Sequence, residues 1–176
     1  MNENLIKEST YAISKATKIL SKGGLVSIKA ETVYGLACDP GNPEAILKLY
    51  NLKNRPSGNP LIIHVNSLDM LKDIAEIDAI TSRIINFFWP GPLTLILPRK
   101  KNKKVLDFAV AGLSTIAVRM PASEIFLKLI NKFGKPVAAP SANQSGYISS
   151  TKASHVIESF GEDIELVIDS GQSEYG

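Results

Sequence analysis

Apolar residues recur at helical spacing over residues 9–22, where Ala12, Ile13, Ala16, Ile19 and Leu20 share one face. Ser9 or Thr10 can accept from first-turn amides, and Gly23 stands where a helix end needs a permissive residue, so the pattern predicts a capped helix. The short β-branched run 25–28 predicts a strand leading into a loop through Glu31-Thr32-Val33-Tyr34-Gly35. Asn42-Pro43 supplies an N-cap and a pre-set first helical residue, with Ile46, Leu47, Leu49 and Tyr50 as the buried stripe of a second helix. Residues 61–65 are apolar enough for an interior strand. Ser67 and Asp78 then cap two helical stretches that end near Trp89-Pro90-Gly91-Pro92.

Further strands are predicted at 94–97, 115–119, 136–140 and 166–168, with helices at 123–133, closed by Gly134, and 151–160, closed by Gly161. Ser123 is the expected cap of the first of these helices. After the last strand, residues 171–176 offer no closing element. Strands alternating with helices over short connections imply a layered α/β fold. The hairpin-like stretch 94–119 implies a mixed parallel and antiparallel sheet with flanking helices.

Composition narrows this picture. A chain of 176 residues, 44% hydrophobic and 21% charged, suits one folded domain spanning 1–176. No apolar run reaches the roughly 18 residues needed to span a bilayer, and the start lacks a secretory layout, so a cytoplasmic protein without membrane partners is expected. With Cys38 as its sole cysteine, the chain can form no internal disulfide and no Cys-rich zinc site. The net charge of +3 is compatible with anionic ligands but does not by itself identify a nucleic-acid partner.

The residues with chemical potential stand at strand and helix ends, where α/β sheets present ligands to their loops. Lys53 and Arg55 follow the second helix; such cations commonly answer the helix dipole, but an ammonium and a guanidinium fork can also face phosphate or carboxylate oxygens. Ser141-Ala142-Asn143 follows a strand, where a hydroxyl and an amide either satisfy a turn or meet a ligand. Arg119 ends an apolar strand and therefore needs exposure, a salt bridge or an anion. His64 sits in an apolar strand, the usual setting of a core histidine. The run Arg99-Lys100-Lys101-Asn102-Lys103-Lys104 reads as a solvated turn or as an RNA-phosphate contact. The phosphate-loop, dinucleotide, zinc-protease and Gly-x-Ser-x-Gly signatures are all missing from the sequence, which disfavours those enzyme classes.

Taken in order, Glu31-Thr32-Val33-Tyr34-Gly35-Leu36, Lys53-Asn54-Arg55-Pro56, Asn59-Pro60-Leu61-Ile62-Ile63-His64, Trp89-Pro90-Gly91-Pro92-Leu93-Thr94, Ala117-Val118-Arg119 and Pro140-Ser141-Ala142-Asn143-Gln144-Ser145-Gly146 resemble the YrdC-like family. The resemblance runs from about Gly23 to the last residue. It implies a twisted mixed α/β sheet around a concave basic cavity. It also implies an enzyme that joins L-threonine, bicarbonate and ATP into threonylcarbamoyl-AMP and pyrophosphate, with partner proteins passing the group to a transfer-RNA adenosine. Carried over by position, Lys53, Arg55, Ser141 and Asn143 would be catalytic, and Thr32, His64, Arg119 and the backbone of Ala139 would hold threonine. Arg55, Asn59, Thr115, Ser141 and Ser149 would contact ATP. Magnesium would ride on the phosphates, its protein ligands unassigned.

Two departures stand out. The family reads Pro-Thr-Glu where this chain has Lys29-Ala30-Glu31, and longer members continue past the turn that matches residues 171–176. A non-catalytic RNA-binding module using the basic run, or an inactive truncated homologue, is the alternative reading. A hydrogenase-maturation carbamoyl-adenylate domain is a third, disfavoured because those domains belong to much longer chains.

Overall fold

Four predicted caps set helix starts as expected in the computed structural model, which describes residues 3–176. Ser9, Asn42, Ser67 and Asp78 accept first-turn amides at the heads of α1 (Thr10–Ser21), α2 (Pro43–Leu52), α3 (Leu68–Ile74) and α4 (Ala79–Phe88). The fifth behaves differently. Ser123 precedes α5 (Glu124–Phe133), but its hydroxyl donates to the Lys29 carbonyl at 2.7 Å, tying the helix to the strand beside it instead of capping the first turn. The last helix, α6 (Ala153–Phe160), begins two residues later than the periodicity suggests. Leu47 is a further correction: it is 51% exposed, because Ala45, Ile46, Leu49 and Tyr50 form the buried face of α2 and Leu47 points away from it.

The strands are β1 (Leu5–Lys7), β2 (Val26–Lys29), β3 (Tyr34–Ala37), β4 (Ile62–His64), β5 (Leu95–Pro98), β6 (Thr115–Arg119), β7 (Val137–Ala138) and β8 (Leu166–Asp169). They form two four-stranded sheets, ordered β1-β8-β2-β3 and β5-β6-β4-β7. Parallel pairs (β1/β8, β2/β8, β4/β6) and antiparallel pairs (β2/β3, β4/β7, β5/β6) are interleaved, so the sheets are mixed. Two strands depart from the sequence reading. β1 is three residues long and carries no pattern of its own. β3 begins inside the segment expected to be a loop: Tyr34 and Gly35 pair with Lys29 and Ile28 of β2.

The sheets meet along β3 and β7. Leu36 N donates to Pro140 O at 2.8 Å, Cys38 N to Ala138 O at 2.9 Å and Ala142 N to Tyr34 O at 2.7 Å. A Cβ at Gly35 would come within 3.2 Å of the Ala139 methyl, so the close approach of the two edges favours glycine there.

Strand alternation sorts the core into two layers. On one face Val26, Ile28, Ala37, Val137, Leu166 and Ile168 pack with α1 and α5. On the other Leu36, Cys38, Ile63, Ile116, Val118 and Val167 pack with α2, α3 and α6. The α1/α5 layer stops at Phe126, whose ring stacks on His64 with centroids 4.8 Å apart. Beyond it the same face of β4, β6 and β5 is bare, with Ile62 and Ala117 half-buried and Ile96, opposite Ala117, 73% exposed. Among the described residues no helix is long and apolar enough to cross a membrane.

Leu129 of α5 is fully buried in the α1/α5 layer. Leu129→Ala should lower unfolding free energy by about 2–5 kcal/mol. Leu47→Ala should change it by less than about 0.5 kcal/mol. Urea unfolding followed by circular dichroism measures both.

Candidate active site

Where the helix layer ends, the β2–β3 connection and the segment after β7 close over the bare sheet and leave a cavity of about 260 Å³. Six of the residues singled out by sequence line it: Thr32, Arg55, His64, Arg119, Ala139 and Ser141. Strand register explains the grouping. His64 lies opposite Arg119 on the parallel pair β4/β6, and Ile62 lies opposite Ala117, so all four project from one face. Ala139 N donates to Ile62 O at 3.0 Å, and Ser141 bridges to Gly35, which brings the β7 segment to the same face.

The inner end of the cavity is built on Arg119. Its Nε donates to Gly91 O at 3.1 Å, Nη1 donates to Thr32 Oγ1 at 3.2 Å, and Nη2 stands 2.6 Å from Glu31 Oε1. This arginine therefore has a structural ion pair and lines the cavity as well. His64 is buried, and desolvation together with the Arg119 charge lowers its imidazolium to about pH 3. The ring is thus neutral at physiological pH, and its Nδ1 has no hydrogen-bond partner from the protein.

The outer end is formed by Arg55 and Ser141. Arg55 donates from Nε to Asn59 O at 3.3 Å and from Nη2 to Pro60 O at 3.0 Å. Among the described residues no carboxylate lies within 4.0 Å of it.

Lys53 is placed differently from the expected phosphate-facing ammonium. It is 1% exposed, and its Nζ donates to Ser141 O at 2.6 Å and to Asn143 O. Ser145 N returns a bond to Lys53 O at 2.8 Å, so lysine and loop hold each other from both sides. Burial, and then the neighbouring Arg55, lowers the ammonium to about pH 8. Asn143 also faces its own loop, donating from Nδ2 to Gln144 O and Tyr147 O. Asn59 is exposed, Thr115 lies at the far end of Arg119's strand on Arg119's face, and Ser149 is half-buried on the loop before α6; none of the three lines the cavity.

Two of the five cations in the basic run have close acidic partners. Arg99 pairs with Asp107 at 2.6 Å and Lys104 with Asp73 at 2.5 Å, while Lys100 donates to Lys72 O. Lys100, Lys101 and Lys103 remain exposed on this turn, with Lys101 3.9 Å from Asp107. Burial pushes the Cys38 thiol pKa up, leaving no thiolate for nucleophilic chemistry.

Two residues of this region escaped sequence reasoning. Glu31 is the buried partner of Arg119, and Phe126 is the wall beside His64. Only the presence of a lone carboxylate next to Thr32 signalled the first, and helical periodicity gave Phe126 no more than a core role.

The arrangement defines an α/β protein with a small cavity at the uncovered end of a mixed sheet, bearing cations at both ends and a neutral imidazole. The chain belongs to the Sua5/YciO/YrdC family, whose model, described as "telomere recombination", matches residues 18–176. It is 45% identical over 167 residues to the threonylcarbamoyl-AMP synthase of Pyrococcus abyssi, covering 94% of this chain and 48% of that protein. It is 34% identical to the threonylcarbamoyl-AMP synthase of Psychromonas ingrahamii, covering 94% and 87%. The crystal structure of P. abyssi Sua5 complexed with L-threonine matches with a TM-score of 0.91 at 43% identity, over 96% of this chain and 50% of that one. The chain thus spans about half the length of the P. abyssi relative.

His64 generates a pH prediction. Its folded-state pKa lies below the usual 6.5, so the unfolded chain binds the extra proton between about pH 3 and 6.5, and stability falls as pH drops through that window. The stability difference between wild type and His64→Gln should therefore slope by up to about 1.4 kcal/mol per pH unit within the window and be flat above it. Urea titrations at stepped pH measure this.

Proposed function

We propose that this chain is a nucleotidyltransferase that makes threonylcarbamoyl-AMP and pyrophosphate from L-threonine, bicarbonate and ATP. The observation that carries the reading is the division of one small cavity into two ends. At the inner end Arg119, Thr32 and neutral His64 suit an amino acid; at the outer end Arg55 and Ser141 suit phosphate. The volume of about 260 Å³ is below the roughly 300–1,000 Å³ typical of sites that enclose larger ligands, so it accommodates an amino acid but not a whole nucleotide. The nucleotide would extend over the bare face past Ile62 and Ala117 towards Thr115, with Asn59 and Ser149 at its margins. That the P. abyssi relative is complexed with L-threonine supports threonine as a substrate in this reading.

In this reading Arg119 receives the threonine carboxylate, assisted by Thr32 and the backbone at Ala139. His64, neutral and stacked on Phe126, walls the amino-acid end without adding charge. The threonine amine takes up the carboxyl group from bicarbonate with loss of water. A carbamate oxygen then attacks the α-phosphorus of ATP, the bond from that phosphorus to the bridging oxygen breaks, and pyrophosphate leaves. Arg55 offsets the negative charge gathered at the phosphates, and the Ser141 hydroxyl offers a further contact. Lys53 contributes by holding the carbonyls of Ser141 and Asn143, which sets the shape of the loop the phosphates would meet.

Magnesium belongs to this reading as a companion of ATP. Among the described residues no group of three or more His, Cys, Asp or Glu side chains is placed to hold a metal, and Glu31 is turned against Arg119, so the ion's ligands would be phosphate oxygens and water. The product, a mixed anhydride, would be consumed by cytoplasmic partners that transfer the threonylcarbamoyl group to transfer-RNA adenosine. The methyl of Ala30 lines the cavity where the family pattern carries a hydroxyl, so threonine would be held here without that contact.

Purified protein given ATP, magnesium, bicarbonate and L-threonine should release pyrophosphate only when threonine is present. Arg55→Ala should reduce kcat/KM by roughly 10²- to 10³-fold. Threonine-independent release, or none from a folded protein, would overturn the proposal.

A further inference from the structure

The cavity holds two guanidinium groups, and phosphate is a strong ligand for either. Something must keep the triphosphate of ATP away from the inner one if an amino acid is to bind there. Arg55 and Arg119 differ in one respect that bears on this. Arg55 donates to the carbonyls of Asn59 and Pro60 and, among the described residues, has no carboxylate within 4.0 Å. Arg119 has the Glu31 carboxylate 2.6 Å behind it.

Glu31 is itself unusual. Its side chain is 2% exposed and does not line the cavity, so it can act on a ligand only through Arg119. Among the described residues Arg119 is its one charged partner, at 2.6 Å, and neither carboxylate oxygen receives a further hydrogen bond. A buried carboxylate with a single partner is costly, so its place behind Arg119 calls for an explanation. The backbone of Glu31 is meanwhile fixed, its carbonyl accepting from the amides of Glu174 at 2.9 Å and Tyr175 at 3.1 Å.

With His64 neutral and Arg119 neutralised, the inner end carries no net charge, while Arg55 leaves the outer end positive. A zwitterion loses little on entering the inner end, whereas a phosphate would face a nearby buried carboxylate at low dielectric. Building on the function proposed above, we propose that Glu31 is the residue that sorts the two substrates. It holds Arg119 in place and cancels its charge, making the inner end an amino-acid subsite that rejects phosphate. Glu31 is a positioning and specificity residue and touches neither substrate.

The test is calorimetric titration of L-threonine and, separately, of inorganic phosphate, without ATP. In the wild type, threonine affinity should be independent of phosphate, and Arg55→Ala should remove phosphate binding altogether. In Glu31→Gln, phosphate should displace threonine competitively and threonine affinity should fall by at least about tenfold. Glu31→Asp, which keeps the charge, should still exclude phosphate. A merely structural role for Glu31 would weaken threonine binding without creating phosphate competition. Competition by phosphate in the wild type, phosphate binding that persists in Arg55→Ala, or a folded Glu31→Gln without phosphate competition would each overturn the proposal. The first two hold even if Glu31→Gln does not fold. A wild type that binds no threonine would count against the proposed function, while a second bound phosphate in Glu31→Gln, against one in the wild type, would still decide the charge argument.

Discussion

The junction between β3 and β7 is the constraint on which the site depends. Two four-stranded sheets are sewn together there by backbone hydrogen bonds between the segments 34–38 and 138–142, with Gly35 admitting the Ala139 methyl. The junction puts the Glu31–Val33 connection and the Pro140–Ser145 segment on one side of the sheet, although more than a hundred residues separate them. Without it, Thr32 would not meet Arg119, and Ser141 would not reach the end of α2 that carries Lys53 and Arg55.

A second constraint is the length of the helix layer. α1 and α5 cover the face of one sheet and its border with the next but no farther, because Phe126 and the residues around it are the last to find apolar partners. The half-buried Ile62 and Ala117 and the exposed Ile96 thus stay uncovered, and Ile62 lines the cavity. Burial is withheld beside the cavity, and stability comes from the two layers elsewhere. Charge is distributed in the same manner: paired and buried at Arg119, without a carboxylate within 4.0 Å among the described residues at Arg55, and paired at two of the five cations along the Arg99 to Lys104 turn.

Much of the fold was legible because its signals are local. Ser9, Asn42, Ser67 and Asp78 cap helices through contacts within three residues, and the β6 run 115–119 was bounded correctly by its own pattern. β1 and β3 were not legible. The first exists because β8 offers it an edge, and the second has two small residues among four and takes its conformation from β2 and β7 on either side. Ser123 shows the same limit, since a cap and a bond to a neighbouring strand draw on the same hydroxyl.

For the site, sequence by itself determined which residue types were on offer: a neutralisable histidine, guanidinium groups, hydroxyls, and no dense carboxylate or cysteine cluster. Motif order and spacing connected them to one family. Tertiary structure alone decided how each is used. It turned Lys53 inward onto the carbonyls of Ser141 and Asn143, set Glu31 behind Arg119, and left Arg55 without an acidic partner among the described residues. The reason is physical: residue type fixes the charge and hydrogen-bonding capacity of a side chain, but its burial and its partners depend on segments distant in the chain that only the folded sheet brings together.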